Sequence, residues 1–371
     1  MRVESISFKN YRNLSEMTLT PCGGVNIIYG NNAQGKTNII EALWLFCGGH
    51  SFRTQSYREL IAFGESFAHL ECAFFGQDRR QTASINIEPA KRQIKINGVE
   101  KKTSAALIER FCAVVFSPEN LSLIKRGPAE RRSFIDSAIC REKLKNALTL
   151  QRYNRLLKQR NALLKDIPKN ESLRMTLDLW DEQLTTLGAE IVRQRLDFTK
   201  MISEKAAVFH GGISRGSETL SLRYVSSFGA EESDTRERLK EKFLEKCKAN
   251  YQNEIFTGST VSGAHRDDIE ILINGKNSRF YASQGQQRSA VLSLKLAEAS
   301  VLRERMGENP VILFDDVLSE LDNERQDYLL NELKGCQVFI TCCEKSNKEQ
   351  LNEGKVFYVE DGWVTELKSG S

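Results

Sequence analysis

The chain has 371 residues, of which 40% are hydrophobic and 27% are charged, and its formal net charge is +4. This is the composition of a soluble globular protein of roughly two or three folding units, rather than that of a disordered or membrane protein. No stretch approaches the ~20 apolar residues that span a bilayer, and the N-terminus lacks the apolar core of a signal peptide. The nine cysteines form no Cys-x-x-Cys pair, which predicts buried thiols in a reducing cytoplasm rather than a zinc site.

Short strands are predicted through the first third of the chain. Residues 1–8 and 25–29 form strand-like runs, and a helix is predicted to follow the second run over residues 37–46. Further strands are predicted at 69–75, 82–87, 93–96 and 113–116. The middle is helical in pattern, with one helix over 131–165, a turn containing Pro168, and a second helix over 172–209.

Strand patterns return in the last third, at 311–314 and 337–340, and Asp361-Gly362 predicts a hairpin between strands 356–360 and 363–367. We therefore predict an α/β fold. One lobe comprises residues 1–116 and 280–371, and a mostly helical lobe with a short helical arm, residues 117–279, interrupts it.

Residues 30–37 match the phosphate-loop pattern G-x-x-x-x-G-K-[ST] between a predicted strand and a predicted helix. The glycines let the backbone curl, so that its N–H groups and the helix N-terminus face phosphate oxygens. Lys36 is expected to reach the β- and γ-phosphates, and the Thr37 hydroxyl to bind Mg²⁺. A glycine turn that only caps a helix is the alternative. The predicted ATP-binding residues are Gly30, Asn31, Asn32, Ala33, Gln34, Gly35, Lys36 and Thr37.

Two acidic residues follow the apolar run 311–314, on what we expect to be a strand beside that of the phosphate loop. The carboxyl ends of strands are where α/β sheets bind ligands. Asp315 is therefore the expected Mg²⁺ ligand, and Asp316 is the candidate to orient or deprotonate the attacking water. With Lys36, they form the predicted catalytic set.

A third motif, Ser283-Gln284-Gly285-Gln286, precedes a helical run, and Ser283 and Gln286 have the spacing of a capping box. It is similar to the signature motif of ABC-type ATPases, and residues 319–322 resemble the D-loop. The three motifs, with a helical insertion between them, resemble the SMC-type branch of these ATPases, and within it the RecF family of bacterial recombination-repair ATPases. The segments that carry this resemblance are residues 8–13, 30–37, 51–54, 116–119, 131–136, 263–268, 284–288 and 315–322.

The resemblance implies an ABC-type ATPase head, a mixed sheet with helices, that uses ATP and Mg²⁺. It adds Arg12 and Asn38 to the nucleotide-binding residues, and it implies that Ser283, Gly285 and Gln286 bind the nucleotide held by a second copy. It further implies an ATP-dependent homodimer on double-stranded and gapped DNA. Such a protein helps RecO and RecR to load RecA during DNA repair, replication and the SOS response in the cytoplasm.

The sequence departs from transporter ATPases at two positions. The strand after the D-loop ends in Thr341-Cys342-Cys343 without a switch histidine, and the second acid is Asp316 rather than a glutamate. Because the shorter side chain positions water less well, we expect slow hydrolysis, and the resemblance implies that DNA stimulates it. A transporter subunit is disfavoured by the missing histidine, and an SMC-type tether by the short arm. Both remain alternatives.

Residues 131–165 contain ten lysines and arginines and two acids, a net charge of +8. On one helix, Arg141, Lys145, Arg152 and Arg155 would lie within about 80° of arc, opposite the apolar stripe. This face is a candidate DNA contact, the alternative being an ordinary solvated face. His265, in the motif of residues 263–268, is interpreted as part of a polar turn that braces the lobes rather than as a catalytic group.

Overall fold

The computed structural model describes residues 1–48, 51–318, 321–343 and 354–367. The chain forms two compact units, residues 1–120 with 298–371, and residues 121–297. The predicted lobe limits, after residue 116 and before residue 280, differ from this division. The later limit lies inside a long helix, Gln284–Met306, which the sequence pattern could not divide.

The first unit contains, in the described residues, two six-stranded sheets. The strands of the antiparallel sheet are β1 (Arg2–Lys9), β2 (Met17–Leu19), β4 (Ala68–Gly76), β5 (Arg79–Ile87), β6 (Arg92–Ile96) and β7 (Val99–Lys101), in the order β2-β1-β4-β5-β6-β7. The strands of the mixed sheet are β3 (Val25–Tyr29), β8 (Ala113–Phe116), β12 (Val311–Phe314), β13 (Val338–Cys342), β14 (Gly354–Glu360) and β15 (Trp363–Leu367). Their order is β15-β14-β3-β13-β12-β8, and only the β14–β15 pair is antiparallel.

Helix α1 (Lys36–Leu45) contributes Ile39, Ile40 and Leu43 to a core that also contains residues of both sheets. The four residues of β12 and the five of β13 are all buried, which is why these strands are continuous apolar runs. Helix α9 (Asn323–Glu332) and 3-10 helices at Tyr57–Leu60 and Ser104–Leu107 also belong to this unit; a further 3-10 helix spans Pro118–Leu121.

The second unit is mostly helical, as predicted. Its helices are α2 (Ser122–Lys125), α3 (Pro128–Glu142), α4 (Leu144–Asp166), α5 (Leu177–Ile213), α6 (Arg236–Thr257), α7 (Ser278–Tyr281) and the first part of α8 (Gln284–Met306), with a 3-10 helix at Glu171–Thr176. It also contains a small antiparallel sheet that the sequence interpretation missed, formed by β9 (Leu220–Val225), β10 (Asp268–Ile273) and β11 (Lys276–Asn277). Its core includes Tyr153, Leu184, Val192 and Phe243.

The expectation of one helix over 131–165 is wrong. Lys143 has an extended backbone, φ −147° and ψ 134°, and therefore separates α3 from α4. The second long helix begins later than predicted, at Leu177, after the 3-10 turn. The α/β class and the Asp361-Gly362 hairpin are confirmed, both turn residues having positive φ. In the described part of the chain no helix is both long and apolar enough to cross a membrane.

Candidate nucleotide-binding site

The phosphate loop connects β3 to α1, as its sequence predicted. Gly30 and Gly35 have φ of 153° and 117°. A Cβ atom at Gly30 would lie 2.2 Å from the Val359 carbonyl oxygen, and one at Gly35 would lie 2.7 Å from Leu14 Cδ2. Both positions therefore require glycine for backbone conformation and for space.

Lys36 is buried, and its ammonium group lies over the loop. Nζ donates to the carbonyl oxygens of Gly30 at 2.7 Å and Asn31 at 3.0 Å. It is also 3.6 Å from Cys343 Sγ, which is a weak acceptor and is itself 3.0 Å from Asn32 Oδ1. Cys343 is exposed, so the expectation of buried thiols is wrong at this position. It follows strand β13, where a transporter ATPase would have its switch histidine.

The phosphate loop and the acidic strand end are joined by a hydrogen bond. Thr37 Oγ1 donates to Asp315 Oδ1 at 2.8 Å, and Thr341 Oγ1 is 3.1 Å from the same oxygen. Strand β13 lies between β3 and β12, so the two motifs lie on strands one apart rather than on adjacent strands. The hydroxyl and the carboxylate are nevertheless adjacent, the arrangement that a shared magnesium ion requires.

Asp315 is 5% exposed. Burial raises its pKa to about 6; the Asp316 charge adds to the rise, while the hydrogen bonds from Thr37 and Thr341 oppose it. Within the described ranges no lysine or arginine forms an ion pair with it. A buried carboxylate without a compensating cation, beside a threonine hydroxyl, has the hard oxygen ligands that suit Mg²⁺. Asp316 has a left-handed φ of 53°, and its N–H donates to Thr341 Oγ1.

The phosphate loop lines a cavity of about 480 Å³, together with residues of other predicted motifs. The cavity brings together Asn32 to Asn38, Arg12 and Asp316. Asn38 Nδ2 donates to Asn13 Oδ1 at 2.6 Å, and Gln34 Oε1 accepts from the Asp361 N–H at 2.5 Å. The loop, its lysine and its buried acid therefore fit a nucleoside triphosphate with a divalent cation.

Arg12 is held by a residue that sequence reasoning missed. Glu41, buried on α1, accepts from Arg12 Nε at 2.9 Å and from Nη2 at 2.8 Å, and it also accepts from Tyr11 and Ser51. Burial acts to raise the pKa of Glu41, but the Arg12 and Ser51 hydrogen bonds outweigh it and lower the pKa. No sequence pattern distinguished Glu41, because a single acid in a helix has no periodic signal.

Arg53 was also missed as a site residue. It lines the cavity, and its Nη1 donates to Asn38 Oδ1 at 2.7 Å. The available signal was its place in the segment 51–54, one of the segments that carry the family resemblance.

The signature motif lies in the second unit, where it begins α8. The predicted capping box is confirmed: the Ser283 N–H donates to Gln286 Oε1 at 2.8 Å, and the Gln286 N–H donates to Ser283 Oγ at 3.2 Å. Gln286 Nε2 donates to Glu218 Oε1 at 2.8 Å, and Glu218 Oε2 is 3.0 Å from His210 Nε2. Ser283 and Gly285 are exposed.

Of the residues that resemble the D-loop, Ser319 and Glu320 lie outside the described residues. The side chain of Asp322 caps α9 by accepting a hydrogen bond from the Arg325 N–H.

The four candidate DNA-binding residues do not share one helix face. Arg141 belongs to α3, is 5% exposed, and donates through Nε to the Ser137 carbonyl oxygen. Lys145, Arg152 and Arg155 belong to α4, where Arg152 and Arg155 are exposed. The predicted charged face, which included Arg141, is therefore wrong in extent. The candidate DNA-binding face is limited to Lys145, Arg152 and Arg155 of α4.

Comparisons with known proteins show the family of the chain. Residues 2–365 match the family model of the RecF/RecN/SMC N-terminal domain. The DNA replication and repair protein RecF of Ruminiclostridium cellulolyticum is 41% identical over 94% of both chains, and that of Clostridioides difficile is 37% identical over 100% of both. A solved structure of the recombination mediator protein RecF with ATP, in the RecFOR pathway, is 36% identical, with a TM-score of 0.91 over 99% of this chain and 98% of that one.

A more distant likeness concerns the fold alone. The Smc head domain of Pyrococcus furiosus, solved with the C-terminal domain of ScpA, is 16% identical, with a TM-score of 0.57 over 99% of this chain. The chain therefore shares its fold with SMC heads. That fold contains the phosphate loop, the buried Asp315 on a strand separated from it by β13, and the helical insertion. With these matches along nearly its whole length, the chain belongs to the RecF family of SMC-type, ABC-like P-loop ATPases.

Proposed function

We propose that this protein is an ATP-controlled DNA-binding protein of recombinational and replication-gap repair. Two copies close on DNA when ATP is bound, and slow hydrolysis releases them. The observation that carries the proposal is the Thr37–Asp315 hydrogen bond, because it joins the phosphate loop to a buried carboxylate that has no cation partner among the described residues.

In this proposal Lys36 and the loop bind the triphosphate, Thr37 and Asp315 bind Mg²⁺, and Asp316 orients water. Arg12 and Asn38 complete the nucleotide contacts. Exposure of Ser283 and Gly285 supports a role across a dimer interface, since these residues are open to a second copy. Hydrolysis is weak because the aspartate is one methylene shorter than the usual glutamate, and DNA stimulates it.

The cellular role follows from the relatives. Proteins named RecF act in DNA replication and repair, and solved ones belong to the RecFOR pathway. We propose that this chain acts with RecO and RecR in the cytoplasm to load RecA on gapped DNA.

The test measures dimerisation and DNA binding separately. Sedimentation with a non-hydrolysable ATP analogue should give a dimer, and the same analogue should tighten binding to gapped duplex DNA in fluorescence anisotropy. Lys36→Ala should lose both effects. A wild-type protein that stays monomeric and binds DNA equally well with and without nucleotide would contradict the proposal.

A further inference from the structure

Two motifs of the second unit, residues 131–136 and 263–268, play no part in the nucleotide site. In the structure both contribute to one open pocket of about 440 Å³, within the range of about 300–1,000 Å³ common for small-ligand sites. Its polar lining includes Arg132, Ser133, Asp136, Arg195 and His265.

The carboxylates close to this pocket already have partners. Asp136 accepts two hydrogen bonds from Arg195, at 2.7 and 2.8 Å. Asp268 accepts two from Arg131, both at 2.8 Å. Asp267 accepts from the Tyr224 hydroxyl at 2.6 Å and from the Ser227 N–H at 2.7 Å. In the described residues, none of these three carboxylates forms an ion pair with the further cation at this pocket.

Arg132 is that further cation. Its Nη1 donates to the backbone carbonyl oxygen of Asp267 at 2.6 Å, which is a neutral acceptor, and among the described residues it forms no ion pair. Burial, and after it the charge of Arg195, lower the pKa of Arg132, while the charges of Asp136, Asp268 and Asp267 oppose the fall without cancelling it. An anion in the pocket would compensate this charge, and the remaining N–H groups of the guanidinium are suited to a phosphate.

His265 holds the wall of the pocket and does not supply a charge. Its Nε2 lies 3.1 Å from the Thr260 carbonyl oxygen, which can only accept, so Nδ1 accepts from the Tyr153 hydroxyl at 2.9 Å. Burial lowers the pKa of His265 to about 4. The ring is therefore neutral and fixed by the buried Tyr153 hydroxyl, and Leu150 gives the same pocket a less polar side.

A cationic end and an apolar side in one pocket match a nucleotide. We propose that this pocket binds a phosphate of nucleic acid, with Arg132 and Ser133 on the phosphate and Leu150 against the sugar. The inference rests on the proposed DNA-binding function and names a point of contact for it. The phosphate is either a terminal 5′-phosphate, as at the edge of a gap, or a phosphodiester of the backbone.

The test compares Arg132→Gln with Arg174→Gln, which removes the same charge from an exposed 3-10 turn of the same unit. Each variant is titrated by anisotropy against gapped duplex DNA that carries either a 5′-phosphate or a 5′-hydroxyl at the gap, across a range of salt. Arg132→Gln should bind about tenfold more weakly, with a salt slope smaller by about one, while Arg174→Gln is unchanged. Arg132→Lys should recover part of the affinity.

A loss confined to the 5′-phosphorylated DNA assigns the site to a terminal phosphate, and an equal loss on both DNAs assigns it to the backbone. Ser133→Glu, at an exposed position where folding tolerates the change, should weaken binding as well, whereas Ser172→Glu should not. Wild-type affinity in Arg132→Gln and Ser133→Glu overturns the pocket and leaves the proposed function standing. A wild-type protein that does not bind DNA overturns both.

Discussion

Thr37 Oγ1 and Asp315 Oδ1 lie 2.8 Å apart although 278 positions separate the two residues in the chain. The contact links the helix that follows the phosphate loop to the end of a fully buried strand. Because the carboxylate is buried and its pKa is raised to about 6, it destabilises the fold unless a cation compensates it.

Asp315→Asn should therefore separate stability from function. The amide keeps the size and the oxygen that accepts from Thr37, so the melting temperature without nucleotide should be unchanged or higher. ATP hydrolysis should fall at least about a hundredfold, because Mg²⁺ loses its ligand. Asp316→Asn is the matched control and should lower hydrolysis while sparing Mg²⁺-ATP binding. Full Mg²⁺-dependent ATP affinity in Asp315→Asn would contradict the assignment.

Gly30→Ala should destabilise the protein much more than Gly98→Ala. Both glycines have positive φ, but a Cβ at residue 98 meets nothing within 4 Å, whereas one at residue 30 meets the Val359 carbonyl at 2.2 Å. The backbone conformation alone should cost about 1 kcal/mol, and the clash should add several more. Urea denaturation of both variants measures the difference, and similar midpoints would show that β14 moves easily to admit the Cβ atom.

Glu218 should position the signature motif, residues 283–286, through its hydrogen bond with Gln286. Because Gln286 is oriented by Glu218, and Glu218 contacts His210, Glu218→Ala should free the turn and weaken ATP-driven dimerisation by about tenfold. ATP affinity of the monomer, measured at low protein concentration, should not change. Glu218→Gln keeps an acceptor for Gln286 and should behave closer to wild type, and Glu241→Gln, at an exposed ion pair, serves as the control. A parallel loss of ATP affinity would indicate general damage instead.

The basic face of α4 should contribute to DNA binding without Arg141. Replacement of Lys145, Arg152 and Arg155 by alanine should reduce affinity and lower the salt slope by up to about three, since each phosphate contact releases about one counterion. Arg141→Ala should instead lower the free energy of unfolding, because its buried guanidinium bonds to the Ser137 carbonyl. An unchanged salt slope in the triple variant would remove α4 from the interface.

His265 should make the protein less stable in mild acid. Its pKa is lowered to about 4 by burial, whereas an unfolded histidine titrates near 6.5. Above pH 6.5 the histidine is neutral in both the folded and the unfolded protein, so it does not change the free energy of unfolding. Between pH 6.5 and 4 the unfolded state binds a proton that the folded state does not, which costs about 2 kcal/mol at pH 5. Urea denaturation at pH 7.5 and 5.0 should show a smaller difference between the two pH values for His265→Gln than for wild type.

Local patterns were sufficient where neighbouring residues decide the outcome. The Gly30–Thr37 loop, the apolar strand before Asp315, the Ser283–Gln286 capping box and the Asp361-Gly362 turn all depend on groups within a few positions of each other, and all were predicted. The break at Lys143 was not, because the charge and apolar periods continue across it.

By itself, then, the sequence determined the α/β class, the phosphate loop and the acid that serves it, since these depend on glycine geometry and on apolar runs. Tertiary structure alone decided which distant groups meet. It placed Glu41 against Arg12 and withdrew Arg141 from the surface. It also joined residues 131–136 to residues 263–268 around one pocket. The physical reason is that the burial and pairing of a charge depend on segments that are far apart in the sequence. A local hydrophobic or charge pattern therefore cannot predict them.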